Sequence, residues 1–199
     1  FLVAKNWTVN EDITTAWLRG NFDTTWGSVG VKGNIGIQMQ HTSQSSDSLK
    51  WVTGTGEVPV HDGKSYTDWL PSANIAFSFS HDQTLRFALA RQLARARLDQ
   101  MRAGLEFGID SQGRPGASGG NPELDPWIAN AFDVSYEKYF DGNKGYVSAA
   151  YFYKDLRSYI YKETRQRDFS QEISQLPDPL PPPGFVTTNV GNYTAPYNN

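Results

Sequence analysis

The sequence predicts an all-β fold: an antiparallel up-and-down meander that forms part of a large transmembrane β-barrel, with about six strands in this chain. Three observations predict it. Val31 to Thr42 alternates, with Val31, Gly33, Ile35, Ile37 and Met39 on one side and Lys32, Asn34, Gln38, Gln40 and Thr42 on the other. A β-strand sends successive side chains to opposite faces, so this segment is apolar on one face and polar on the other. The same pattern recurs along the chain. Between the alternating segments, short turns and long polar loops take turns, as they do in a barrel with lipid outside and water inside.

The strands follow in order. Residues 14–25 set Ala16, Leu18, Gly20 and Phe22 against Trp17, Arg19, Asn21 and Asp23. The turn W-G-S-V-G follows, where Gly27 and Gly30 can supply positive φ. Residues 31–42 form the second strand. Residues 43–65, rich in Ser, Gly, Thr and Asp, read as a loop. The third strand, 66–80, alternates Ala73, Ile75, Phe77 and Phe79 with Ser72, Asn74, Ala76 and Ser78. After the short turn His81-Asp82-Gln83, the fourth strand, 84–94, sets Leu85, Phe87 and Leu89 against Arg86, Ala88 and Ala90. Residues 95–126 read as a second long loop, because G-R-P-G-A-S-G-G-N-P opposes regular structure. The fifth strand, 127–140, alternates Ile128, Phe132, Val134 and Tyr136 with Ala129, Ala131, Asp133, Ser135 and Glu137. Asp141-Gly142 suits a tight hairpin. A sixth strand, 146–161, has an open phase because Tyr151, Phe152 and Tyr153 are consecutive. Residues 162–199, with P-D-P-L-P-P-P, read as a third long loop. All of 1–199 is thus expected to form one partial barrel domain. Aromatic side chains flank both ends: Trp26, Phe79, Phe140 and Tyr146 by the short turns, and Trp69, Trp127, Tyr159 and Tyr161 by the long loops.

Composition narrows the alternatives. Mean hydropathy is -0.55 and 38% of residues are hydrophobic, so no stretch reaches the ~20 apolar residues of a membrane helix. A barrel strand hides its apolar face by alternation and escapes that test. Aromatics make up 14% of the chain, which suits membrane girdles but also sandwich cores and sugar-binding surfaces. A net charge of -3 gives no field that favours nucleic acid as a partner. With no cysteine, disulfide frameworks and thiolate metal sites are excluded. The opening F-L-V-A-K-N-W is no signal peptide, so an exported protein would be seen here as a mature piece or a fragment. A soluble sandwich has short strands every ~8–12 residues; these strands are longer.

Four segments together resemble the barrel of TonB-dependent outer-membrane receptors. Leu70-Pro71-Ser72-Ala73-Asn74-Ile75 resembles the family's LPSLNL. Leu85 to Arg91, L-R-F-A-L-A-R, resembles LRFAASKT. Gly120-Asn121-Pro122-Glu123-Leu124-Asp125-Pro126, followed by Asp133, Ser135, Glu137, Tyr139 and Phe140, resembles GNPxLKP…DLSLEWYF. Gly145 to Ala150, then Phe152-Tyr153-Lys154-Asp155 and Ile160, resembles GYVSAALFYKDIxxFI. The series covers about 66–161 and is most similar to the large receptors of carbohydrate-scavenging Gram-negative bacteria. Two positions depart from it: Ala94-Arg95-Ala96 stands where the family has TRP, and Asp125 stands where it is basic. Family members also carry a plug domain, a TonB box and about 22 strands. This chain resembles a segment from the later half of such a barrel.

The resemblance implies a part of an energy-coupled outer-membrane transporter, located in the outer membrane of a Gram-negative bacterium. Its partners would be outer-membrane lipid and lipopolysaccharide, a small nutrient ligand (an oligosaccharide or a ferric siderophore), and TonB through an N-terminal region. A soluble carbohydrate-binding sandwich and a passive porin-like or adhesin barrel are the competing readings.

No catalytic constellation emerges, and neither an enzyme nor a cofactor is expected. His41, His61 and His81 are scattered. Asp133 and Glu137 lie roughly 13 Å apart along one strand, beyond glycosidase spacing. No G-x-S-x-G and no phosphate loop ahead of a helix is present. Two groups remain. Trp51, in the middle of the first long loop, and Trp69 and Trp127, at long-loop ends where they could instead anchor in the membrane interface, could stack on a sugar or aromatic ligand. Arg91, Arg95, Arg97 and Arg102 cluster by the second long loop, and Arg91, Arg95 and Arg97 could meet lipopolysaccharide phosphates.

Overall fold

Alternation along the chain becomes strand pairing in space. The computed structural model describes residues 6–52, 56–140, 144–174, 176 and 184–199, with the side chains of 50–52 and 56 excepted. Six strands form one antiparallel sheet: β1 (Trp7–Trp26), β2 (Val29–Val52), β3 (Gly56–Phe79), β4 (Gln83–Ala94), β7 (Trp127–Tyr139) and β8 (Tyr146–Ser158), adjacent in that order. The second long connection holds β5 (Leu105–Ile109) and β6 (Pro115–Gly119). They join β9 (Ile160–Asp168) and β10 (Val190–Asn198) in a smaller sheet ordered β5-β6-β10-β9, in which β6 and β10 run parallel. A short helix, α1 (Ser170–Ser174), follows β9.

The register carries one apolar face across the six strands. Ile35 pairs with Gly20 and Ala73, Ile75 with Phe87, Leu89 with Phe132, and Val134 with Tyr151. Paired residues share a face, which resolves the phase of β8: Tyr151 and Tyr153 belong to the apolar side, Phe152 to the polar side. No second layer covers the apolar face among the described residues. Ile35 is 64% and Leu89 54% exposed, whereas a sandwich would bury both. The buried apolar cluster lies elsewhere: Met101, Leu124 and Ile160, with Val9 and Ala96 against it, at the long-loop end. The sheet does not close; β1 and β8 are its edges.

Strand length divides the sheet into two zones. A membrane-spanning strand needs ~9–11 residues. β4, β7 and β8, at 12, 13 and 13 residues, meet that requirement. β2 and β3 have 24 residues each and β1 has 20, so these three extend well past β4, β7 and β8 at the long-loop end.

Several expectations are corrected. The expected loop 43–65 is mostly strand: Ser43 pairs with Ser65 and Gln44 with Lys64. It was hidden because its buried positions are polar, and a hydrophobic pattern cannot reveal them. The G-R-P-G-A-S-G-G run holds β6. Pro115 is its first residue, where a missing N–H is tolerated. Gly113 turns into it at φ +76, with Phe185 O so close that any Cβ would collide. The third expected loop holds β9 and β10. β1 begins at Trp7 rather than near 14, because its first residues pair with the extended part of β2 (Trp7 with Ser48). Gly27 has positive φ (62), but Gly30 is an ordinary β2 residue opposite Thr25. The turn after β3 uses positive φ at His81 and Asp82 instead, residue types that tolerate that region. Of the aromatic flanks, Trp26, Phe79 and Trp69 lie on the apolar face. Tyr146 pairs with Tyr139, and Trp127 with Ala94, on the polar one. The Asp141-Gly142 turn and the Pro-rich run 177–183 lie outside the described residues.

Candidate functional site

The polar face divides into an open lower part and a covered upper part. Toward the short turns, polar side chains pair across strands: Lys32 Nζ to Asp23 at 3.0 Å, Asn74 Nδ2 donating to Asn34 Oδ1 at 3.1 Å, and Arg86 Nη1 to Glu137 Oε1 at 3.1 Å. Asp23, Lys32, Asn34, Asn74 and Arg86, with Asp133 and Ser135, are the polar side of a hollow of about 750 Å³ that Ala88, Phe152 and other apolar residues also line. Two pairs follow directly from strand register, since Asp23 faces Lys32 and Asn34 faces Asn74, while Arg86, opposite Ser135, reaches diagonally to Glu137. Exposed pairs of this kind are worth little to stability. Their effect is a wetted surface with balanced charge and many hydrogen-bonding groups.

Toward the long loops, the same face of β2 carries Gln40, Thr42, Gln44, Ser46 and Ser48, all buried. The connection between β4 and β7 covers them. Gln44 Nε2 donates to Pro122 O at 2.7 Å and Leu124 O at 2.8 Å. Ser46 Oγ donates to Thr8 O and accepts from the Ala103 N–H at 2.9 Å. Lys64 Nζ reaches Asp125 at 2.6 Å. Asp125 and Asn198 exchange two hydrogen bonds, which tie the connection to β10. Arg95 Nε lies 3.3 Å from Glu11 Oε1, an ion pair off hydrogen-bond geometry. A buried polar group left unpaired costs about 1–3 kcal/mol. The stripe therefore holds the folded-back connection in a single register.

The predicted residues are dispersed. Trp51's side chain lies outside the described residues. Trp69, 53% exposed, stands on the apolar face opposite Met39; Trp127, 38% exposed, stands on the polar face. The structure does not bring these two together. Arg91 lies on the apolar face opposite Asn130. Arg95 turns to Glu11, Arg97 pairs with Asp99 at 3.0 Å, and Arg102 pairs with Glu106. Hence the arginines form no common patch. The histidines stay apart: His41 contacts Thr67 and His61 contacts Asp47, while His81 occupies a turn. Among the described residues, no three His, Asp or Glu side chains gather as a metal site.

Sequence reasoning missed Gln44 and Ser46, which lie in the stretch read as loop. Their period of two with Gln40, Thr42 and Ser48 was the available signal. It also missed Asp110, Gln166 and Asn192 on the smaller sheet. There Asp110 Oδ1 accepts the N–H groups of Gln112 and Arg114. The Arg114 N–H is the main reason the Asp110 carboxyl is held below its ordinary range.

Compared with known proteins, the chain matches the family model described as TonB dependent receptor-like, beta-barrel over residues 4–195. No curated protein and no solved structure matches the chain.

Proposed function

The chain belongs to the TonB-dependent receptor β-barrel family, and we propose on that basis that it is the part of an energy-coupled outer-membrane transporter that spans the bilayer and shapes its outer mouth. The family supports outer-membrane transport in general; active uptake of a scarce nutrient, an oligosaccharide or a ferric siderophore, is our reading for this chain. The observation that carries it is the family match across nearly all of the chain. The two faces of the sheet support it: an unlayered apolar face suits lipid, and a polar face with paired charges suits a watery passage.

In this reading the short turns face the periplasm, and the smaller sheet with the folded-back connection stands outside the cell. Trp127, on the polar face near the outer rim, contacts nutrient. Trp69, on the apolar face, anchors in the lipid interface. Arg91 meets lipid phosphate there, whereas carboxylates occupy Arg95 and Arg97. TonB acts through an N-terminal region of the whole receptor.

The test is uptake by cells whose intact receptor is the sole importer of a labelled nutrient. Uptake should stop when TonB is deleted or a protonophore is added. Uptake that continues would refute energy coupling and favour a passive porin.

A further inference from the structure

The far end of the smaller sheet carries a groove, built from β5 and β6 of the β4–β7 connection together with β9 and β10, and away from the contacts that connection makes with the polar stripe of β2. Its floor is Gly108 and Gly116, which face each other across β5 and β6. Asn192 of β10 lies beside Gly116 and opposite Gln166 of β9. The hollow measures about 580 Å³. Asp110 and Arg114 form its end wall.

Its chemistry is specific. The Asp110 carboxylate is saturated: Oδ1 takes two backbone N–H groups, and Oδ2 takes the Arg114 guanidinium, with Nε at 3.0 Å. The negative charge at the wall is therefore cancelled in place. Gln166 Nε2 donates to Asn192 Oδ1 at 2.6 Å. That bond fixes both amide planes and leaves Gln166 Oε1 as an acceptor and Asn192 Nδ2 as a donor. Adjacent hydroxyls on a sugar ring match such a pair: one donates to Oε1 while its neighbour accepts from Nδ2. Two residues along, about 6–7 Å away, Thr164 and Thr194 bring their hydroxyls to 2.8 Å, which extends the uncharged hydrogen-bonding surface. A charged ferric chelate would find no unpaired counter-charge among these groups.

We propose that this groove binds a neutral, polyhydroxylated ligand, a segment of oligosaccharide, on the outer surface of the receptor and apart from the lumen. The inference rests on the outward orientation given above and goes beyond it in assigning a second site and an uncharged ligand class. Binding there would concentrate a glycan beside the mouth.

Gly108 provides a clean test, because a Cβ added there meets nothing within 4 Å. Gly108→Leu therefore starts a bulky side chain from the groove floor with open space around its Cβ. The intact receptor in detergent micelles is applied to immobilised neutral gluco-, xylo-, manno- and fructo-oligosaccharides, with a trianionic ferric tris-catecholate as the charged control. The receptor should be retained on at least one neutral oligosaccharide. Its affinity should fall by about tenfold or more in Gly108→Leu, and likewise in Gln166→Glu, which keeps the shape but breaks the acceptor–donor match. Thermal melting of each variant reports its folding, and Gln166→Glu decides should Gly108→Leu melt early. Retention on no neutral oligosaccharide, or undiminished retention of a folded variant, would overturn the proposal. TonB-dependent uptake is measured separately, so the groove can fail while the transport reading stands.

Discussion

Substituting Ile35 with Arg tests which face meets hydrocarbon. Ile35 lies four residues from Val31 and four from Met39 on the apolar side of β2. At ~3.3 Å per residue it is ~13 Å along the strand from either, and a tilt of ~45° leaves ~9 Å of depth. Its cross-strand neighbours are Gly20 and Ala73, which carry no group able to solvate a guanidinium. An Arg side chain cannot reach water from there without thinning the bilayer. The expected cost is ~2–4 kcal/mol, the range for Arg at a barrel midplane, which is a roughly thirty- to several-hundred-fold change in the folding equilibrium. Gln38→Arg is the control. Gln38 lies three residues away on the polar face, between Trp17 and Leu70, and its substitution should be much milder. The assay is reversible urea unfolding of the intact receptor in lipid vesicles, each variant compared with wild type. Equal penalties, or a larger one for Gln38→Arg, would reverse the assignment of faces.

Other perturbations probe other parts. Gln44→Ala removes the donor shared by Pro122 O and Leu124 O and should cost about 1–3 kcal/mol. Hydrogen exchange should quicken across 100–126 and stay unchanged in β7; unaltered exchange in 100–126 would disprove the anchoring. Gly33→Ala should destabilise the intact receptor, since an added Cβ would collide with the Phe22 ring and with Asn74 O. Phe22→Ala should restore only part of the loss, because the carbonyl clash remains; chemical unfolding of the single and double variants measures this. Acidification should loosen the β5–β6 turn. The Asp110 carboxyl is held low, first by the Arg114 N–H, so its stabilisation is present above the unfolded pKa and fades as pH falls through the folded one. Exchange rates at Gln112 and Arg114 should rise over that interval, and in Asp110→Asn the dependence should vanish.

The sequence made some parts legible and hid others for identifiable reasons. Faces were readable wherever Ile, Phe and Leu alternate with Asn, Ser and Arg, as in 31–39, 73–79 and 85–89. In 151–153 three aromatics in a row conceal the phase, and only pairing with Phe132 and Val134 resolves it. The strand through 43–49 stayed hidden because Gln44, Ser46 and Ser48 are buried polar groups. Hydropathy ranks them with loop residues, although their hydrogen bonds are met inside the protein. Pro and Gly in 113–120 suggested a break, yet Pro115 at a strand start and Gly113 in the preceding turn are where such residues assist a hairpin. The cluster of arginines was legible as composition but not as a site. Glu11 and Asp99, remote and local partners respectively, draw Arg95 and Arg97 apart.

What the sequence determined by itself is the two-sidedness of five strands and the order of all six. That information is local: successive side chains point opposite ways in any extended chain, so a period of two is visible before any partner is known. Only the tertiary structure decided that the β4–β7 connection folds back over the polar stripe and that β5, β6, β9 and β10 form a second sheet. Those outcomes depend on hydrogen bonds such as Gln44 to Pro122, across 78 residues of chain. Water offers the same groups nearly equal hydrogen bonds, so neither residue type nor spacing could reveal which partner each would take.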